Sequence, residues 1–142
     1  MRTVILILLL AIPTHAVAQV ELPPPVKKGL DALRSGRCED AFALWTGTWP
    51  EPQKSQMAAS CSALKQYGHE IYGYDVLRVL DITPHVRRVY AVLLYEVQPI
   101  YIMVVAYRPG DGDWKVGTVN WHTDPDLVIP SDIAPPQRPK GP

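Results

Sequence analysis

Two pairs of residues near the end of the chain are of types that can do chemistry. His122 is followed two residues later by Asp124, and an imidazole with a carboxylate is a pairing that general-base enzymes use. Asp111 and Asp113 flank Gly112, and such carboxylates can bind a cation. A calcium loop needs more oxygen ligands at regular spacing, so the second pair predicts a hairpin turn instead.

Five aromatic residues are candidates for lining a ligand pocket, in which tyrosine hydroxyls would orient a polar group. They are Trp45, Tyr95, Tyr101, Tyr107 and Trp121. Core packing and cross-strand aromatic contacts account for the same residues, and this second interpretation is the simpler one. No two histidines have the spacing of metal ligands, and no Cys-x-x-Cys is present, so neither a metal nor another cofactor is predicted.

The first residues have the three-part layout of a secretory signal peptide. Arg2 supplies a positive charge, Val4–Ile12 is an apolar run, and Ala16–Ala18 offers a cleavage site of small residues. A membrane-spanning helix needs about 20 apolar residues, more than this run contains. We expect cleavage after Ala18 and a periplasmic location, with full secretion as the alternative.

Cys38 and Cys61 are the only two cysteines. In an oxidising compartment an even pair favours a disulfide, so we predict a Cys38–Cys61 bridge. The chain has 142 residues, a length that is enough for one domain. Its formal net charge is +0. It lacks the excess of lysine and arginine that is typical of a nucleic-acid binder.

Apolar residues have helical spacing in the first half of the mature chain and the alternation typical of strands in the second half. The predicted helices are Pro25–Ser35, Cys38–Trp45 and Pro52–Tyr67. The predicted strands are Tyr74–Ile82, Val86–Glu96, Ile100–Arg108 and Trp114–Thr123. Short turns join the strands, which predicts an antiparallel meander and an α+β fold with three N-terminal helices packed on one face of a four-stranded sheet. The domain would cover residues 19–124.

The last 18 residues, 125–142, contain six prolines and few apolar residues. Such a composition buries too little surface to become ordered, so we predict a flexible tail. Leu127, Val128 and Ile129 are the residues through which it would dock locally.

Several segments resemble the NTF2-like (cystatin-like) α+β superfamily, in particular its small exported bacterial members without an assigned activity. The resemblance is carried by Leu33–Gly36, Ala41–Phe42, Arg87–Tyr90, Tyr95–Glu96, Pro99–Ile100, Tyr107–Pro109 and Trp114–Val116. It implies a curved sheet, a cavity between sheet and helices, and a homodimer that hides the other face of the sheet. Because that superfamily contains enzymes, binding modules and assembly domains, the fold alone does not define a function.

The middle strands are apolar on both faces, which indicates burial on both sides or contact with a partner. We expect a second copy of the chain to cover the face away from the helices. One set of apolar residues that would form it is Tyr90, Val92, Leu94, Ile102 and Val104. The sequence therefore favours a non-enzymatic periplasmic binding or interaction module, whose partner is a small apolar ligand or an envelope protein. The alternatives are a small hydrolase or isomerase with His122 and a buried tyrosine or acid in its cavity, and a structural subunit of an envelope assembly.

Overall fold

The computed structural model describes residues 21–68 and 71–133. The helices are α1 (Pro24–Arg34), α2 (Cys38–Thr46) and α3 (Glu51–Leu64), and the strands are β1 (Ile71–Thr83), β2 (Val86–Tyr95), β3 (Pro99–Tyr107) and β4 (Lys115–His122). Short 3-10 helices, Lys65–Tyr67 and Pro125–Leu127, follow α3 and β4. The predicted signal peptide and residues 134–142 of the predicted tail lie outside the described residues.

The boundaries of α1 follow from residues that restrict the backbone. Proline occupies its first turn, where a missing N–H costs nothing. The helix buries Val26, Leu30 and Leu33, which lie on one face at a spacing of four and then three residues. It ends before Gly36, whose φ of 72° lies in the left-handed region that favours glycine. The Arg37 N–H then donates to a carbonyl of the last turn.

The four strands form one antiparallel sheet in the order β1-β2-β3-β4. Three helices and a four-stranded antiparallel sheet confirm the predicted α+β class. β1 begins at Ile71, earlier than the predicted Tyr74, because the strand continues through Gly73 at an irregularity in its pairing with β2. Three such irregularities interrupt the β1–β2 pairing, and one interrupts the β3–β4 pairing opposite Val105 and Ala106.

One face of the sheet packs against the helices and forms the main core with Phe42, Trp45 and the buried face of α1. The sheet contributes to this core Val89, Ala91, Leu93, Tyr95, Ile100, Ile102, Val104, Ala106, Val116 and Val119. We call the opposite side the outer face; by alternation it carries Tyr90, Val92, Leu94, Tyr101, Met103, Val105 and Tyr107. Placing Ile102 and Val104 with Tyr90 on one face was therefore wrong, since those two residues lie in the core between sheet and helices.

The predicted disulfide between Cys38 and Cys61 is confirmed. The two Cα atoms lie 5.7 Å apart, and both residues are buried. The bridge joins the first residue of α2 to the last turns of α3. Only Cys61 and Leu64 of α3 are fully buried, so the bridge is a main attachment of this helix to the core.

Residues 125–133, which we call the C-terminal segment, cross part of the outer face. Val128 and Ile129 are buried in a second apolar cluster with Tyr90, which is 2% exposed. Leu80, Tyr101, Met103 and Ile133 pack around this cluster. Leu127 is exposed, so Val128 and Ile129 make the local docking contact. An ion pair between Arg78 and Asp132, 3.1 Å long, lies near the end of the segment.

Candidate functional site

The sheet separates the five aromatic pocket candidates into two groups. Trp45, Tyr95 and Trp121 belong to the helix side, where they contribute to the main core or pack against it. Tyr101 and Tyr107 belong to the outer face by alternation along β3. The structure therefore does not bring the five residues together around one pocket.

Trp45 joins α2 to α1 through its hydrogen bond and its packing. It is 1% exposed, its Nε1–H donates to the carbonyl of Pro25 at 3.0 Å, and its ring packs at 5.8 Å from the ring of Phe42. A buried indole needs a partner for its single donor, and the carbonyl in the first turn of α1 supplies it.

Tyr95 lines a small cavity beside the disulfide, together with Leu33, Leu64 and Ile71. Burial removes water from the phenol and raises the pKa of Tyr95 to about 12. The cavity measures about 90 Å³. Pockets for drug-sized ligands span roughly 300–1,000 Å³, so this cavity accepts only a very small group.

The remaining three aromatics have separate neighbours. Trp121 meets Tyr67 edge-on, with 6.5 Å between the ring centroids. Tyr107 lies beside Gly117 of β4, where an added β-carbon would approach the tyrosine ring to 3.2 Å. Tyr101 packs at the margin of the cluster that contains Val128 and Ile129.

His122 lies exposed at the end of β4. Its Nδ1 accepts a hydrogen bond of 2.9 Å from the backbone N–H of Asp124. The Asp124 carboxylate in turn accepts from the N–H of Asp126 at 3.0 Å and thereby caps the following 3-10 helix. The bonds of this pair thus organise the turn that leads into the C-terminal segment.

A polar contact that no sequence pattern predicts joins α1 to β1. The Tyr74 hydroxyl donates to Asp31 at 2.9 Å, and the Lys27 ammonium donates to the other carboxylate oxygen at 2.7 Å. The hydrogen bond from Lys27 is the largest cause that lowers the pKa of Asp31. Desolvation, followed by the bond to Asp31, raises the pKa of Tyr74 to about 12. No local motif predicts the contact between Tyr74 and Asp31, because the two residues are 43 positions apart in the sequence.

A second unforeseen cluster lies at the end of the sheet where two hairpins turn. The guanidinium carbons of Arg87 and Arg108 each lie 5.3 Å from the centroid of the Trp114 ring. Arg87 also donates to Asp81 at 2.6 Å. Arg87 is thus both stacked on an aromatic ring and ion-paired with Asp81.

The outer face is apolar along β2 and β3 and only partly covered, and Asp75, Arg78 and Arg88 lie on the same face beside this apolar part. The C-terminal segment lies over Tyr90, but Leu94 at the other end of β2 is 37% exposed. Tyr101 lies between them and is half-buried. Apolar surface of this kind is typical of a contact surface.

Within residues 21–68 and 71–133, no three metal-binding side chains are grouped closely enough to hold an ion. No helix of the same ranges is long and apolar enough to cross a membrane.

Three comparisons with known proteins gave no match. No family model matched the chain, no curated protein matched it, and no solved structure matched it.

Proposed function

We propose that this protein is an exported, non-enzymatic interaction module of the periplasm, with an NTF2-like fold. The observation that carries this proposal is the outer face, where apolar residues extend beyond the part that the C-terminal segment covers. Contiguous exposed apolar surface on a soluble protein is a feature of contact surfaces when it exceeds a few hundred Å². No acid–base function is needed to account for His122 and Asp124, whose bonds hold a turn.

The leader sequence and the disulfide support the compartment. The first 18 residues have the layout of a cleaved signal peptide, and disulfides persist mainly in oxidising environments such as the periplasm. N-terminal sequencing of protein recovered from the periplasmic fraction tests this point, and we expect it to begin at Gln19. An intact leader would contradict it.

The order of the elements supports the NTF2-like assignment. Three helices precede a four-stranded antiparallel meander and cover one of its faces, as the resemblance implies. In such an architecture the other face is the one available to a partner, and here its middle strands are apolar as well.

Self-association through the uncovered part of the outer face is the contact that we propose. A carboxylate buried without a counter-charge is strongly unfavourable, so Leu94→Asp should prevent the contact. Leu127→Asp is the matched control, because Leu127 is exposed on the C-terminal segment. Sedimentation equilibrium at micromolar concentration should give a dimer for the wild type and the control, and a monomer for Leu94→Asp. A wild-type protein that stays monomeric at high concentration would overturn the proposed dimer.

A further inference from the structure

β4 is a free edge of the sheet. In the part of the chain that the structure describes, β4 pairs with β3 and with no other strand. An edge strand presents a row of unpaired backbone N–H and C=O groups, which any extended chain can pair with. Proteins usually guard such edges with irregular pairing, charges or covering side chains.

The two edges of this sheet are guarded unequally. β1 has three irregularities along its pairing and carries Asp75, Arg78 and Asp81. Among the described residues, β4 is protected only near its start, where the Nε1–H of Trp49 donates to the Val116 carbonyl at 2.8 Å and the pairing is irregular. Beyond that point Thr118–His122 pairs regularly with β3 and carries no Asp, Glu, Lys or Arg.

Two adjoining cavities lie along this edge and share Trp49, Gln53 and Gly117 as lining residues. The first measures about 260 Å³ and extends to Pro50 and Tyr107. The second measures about 330 Å³, and its other lining residues are Gln56, Met57, Ser60, Thr118 and Val119. Together they form a groove between α3 and β4, which we call the edge groove. Neither cavity is lined by an Asp, Glu, Lys or Arg side chain, although 20% of the chain is charged.

The wall that α3 contributes has side chains free to contact a ligand. Gln53 and Gln56 are exposed, and Ser60 and Met57 are half-buried. The amides and the hydroxyl can each donate and accept hydrogen bonds, so they suit an uncharged peptide backbone. Met57 offers an adaptable apolar contact.

We infer that the edge groove binds an extended, uncharged peptide segment of a partner protein, which adds a strand to β4. Main-chain hydrogen bonds to the edge provide the affinity, and the two cavities receive side chains of the peptide. This inference rests on the proposed interaction function, but it uses a surface separate from the outer face around Leu94.

The chain's own C-terminus suits the edge groove poorly. Residues 125–133 already lie on the outer face through Val128 and Ile129. Residues 134–142 contain four prolines, an arginine and a lysine. Proline has no N–H to give to a strand, and the two cations have no carboxylate among the residues that line the cavities.

Selection of peptides from a random display library against the immobilised mature protein tests the inference. Peptides enriched on the wild type are resynthesised, and their affinities are measured with and without N-methylation of alternate residues. We expect uncharged sequences whose binding is lost on N-methylation, because the methyl groups block strand pairing while the side chains stay. Amide hydrogen exchange in Thr118–His122 should slow on binding.

Gln56→Glu is the variant that probes the groove, and Gln66→Glu makes the same change at an exposed residue outside the lining of the cavities. A bound peptide would remove water from a carboxylate at residue 56 and supply no counter-charge. The first variant should therefore weaken binding by about tenfold, and the second should leave it unchanged. Failure to enrich any peptide, equal binding of N-methylated peptides, or equal effects of the two variants would overturn the inference.

The Leu94→Asp variant separates this inference from the proposed dimer. It should select the same peptides as the wild type, since Leu94 is remote in the sheet order from the β4 edge. Loss of dimerisation with retained peptide binding supports the edge groove alone. A wild-type dimer that protects the β4 amides without any peptide would show that a second copy occupies the edge, and would overturn the inference.

Discussion

Gly29 lies directly against the indole ring of Trp45. A β-carbon at residue 29 would overlap Nε1, Cε2 and Cζ2 of that ring. The indole has little freedom to move aside, because its Nε1–H is bound to the carbonyl of Pro25 in the same helix. The close approach of α1 to α2 therefore depends on the absence of a side chain at this position.

Replacing Gly29 with alanine should destabilise the protein, although alanine favours a helix by roughly 1 kcal/mol over glycine. Overpacking a core costs about 1–3 kcal/mol of the free energy of unfolding. Because the indole ring is rigid, we expect a cost at the upper end of this range. Urea unfolding measures the difference. Gly47→Ala is the control, because a β-carbon there meets its nearest neighbours at an ordinary 3.6 Å. An equal effect of the two substitutions would contradict this packing.

Removal of the disulfide should lower the free energy of unfolding by roughly 3–4 kcal/mol in the chain-entropy model. The cysteines are 23 residues apart, and the double variant Cys38→Ala/Cys61→Ala keeps the positions apolar. Hydrogen exchange should accelerate first in α3, which otherwise buries only Leu64 fully. Unchanged exchange in α3 would show that its remaining contacts suffice.

Alkaline pH should destabilise the fold through Tyr95 and Tyr74. Both phenols have a pKa of about 12 in the folded protein, whereas an unfolded tyrosine has a pKa near 10.0. Their contribution to stability is therefore complete below pH 10.0 and is lost as the pH rises towards 12. Thermal midpoints between these pH values should fall less steeply in Tyr95→Phe than in the wild type. Tyr72→Phe, at an exposed position, should follow the wild type.

Truncation after Ile129 should shift the thermal midpoint by only a few degrees. It removes the exposed Arg78–Asp132 ion pair, worth about 0–1 kcal/mol, and the half-buried Ile133. Ile129→Ala should cost about 2 kcal/mol, because it opens a cavity over Tyr90. Leu127→Ala, at an exposed position, should be nearly neutral. A truncation as damaging as Ile129→Ala would show that the residues beyond 129 are part of the fold.

The type and order of the elements were accessible from local patterns. Helical spacing of apolar residues, alternation in the strands and turn-forming residues between them act over a few residues, so the sequence displays them directly. The pairing of Cys38 with Cys61 was accessible for a different reason, since a chain with two cysteines has only one intramolecular pairing.

The tertiary structure decided which residues share a face and which distant residues meet. The set that joined Tyr90 to Ile102 and Val104 was wrong, because deciding which residues of β2 and β3 share a face requires the register between the two strands. That register pairs Val89 with Val104 and Tyr90 with Met103. Because both faces of these strands are apolar, only the packing of the helices determined which one became the core. Contacts such as Trp49 with Val116, 67 residues apart, arise from that packing and leave no local pattern in the sequence.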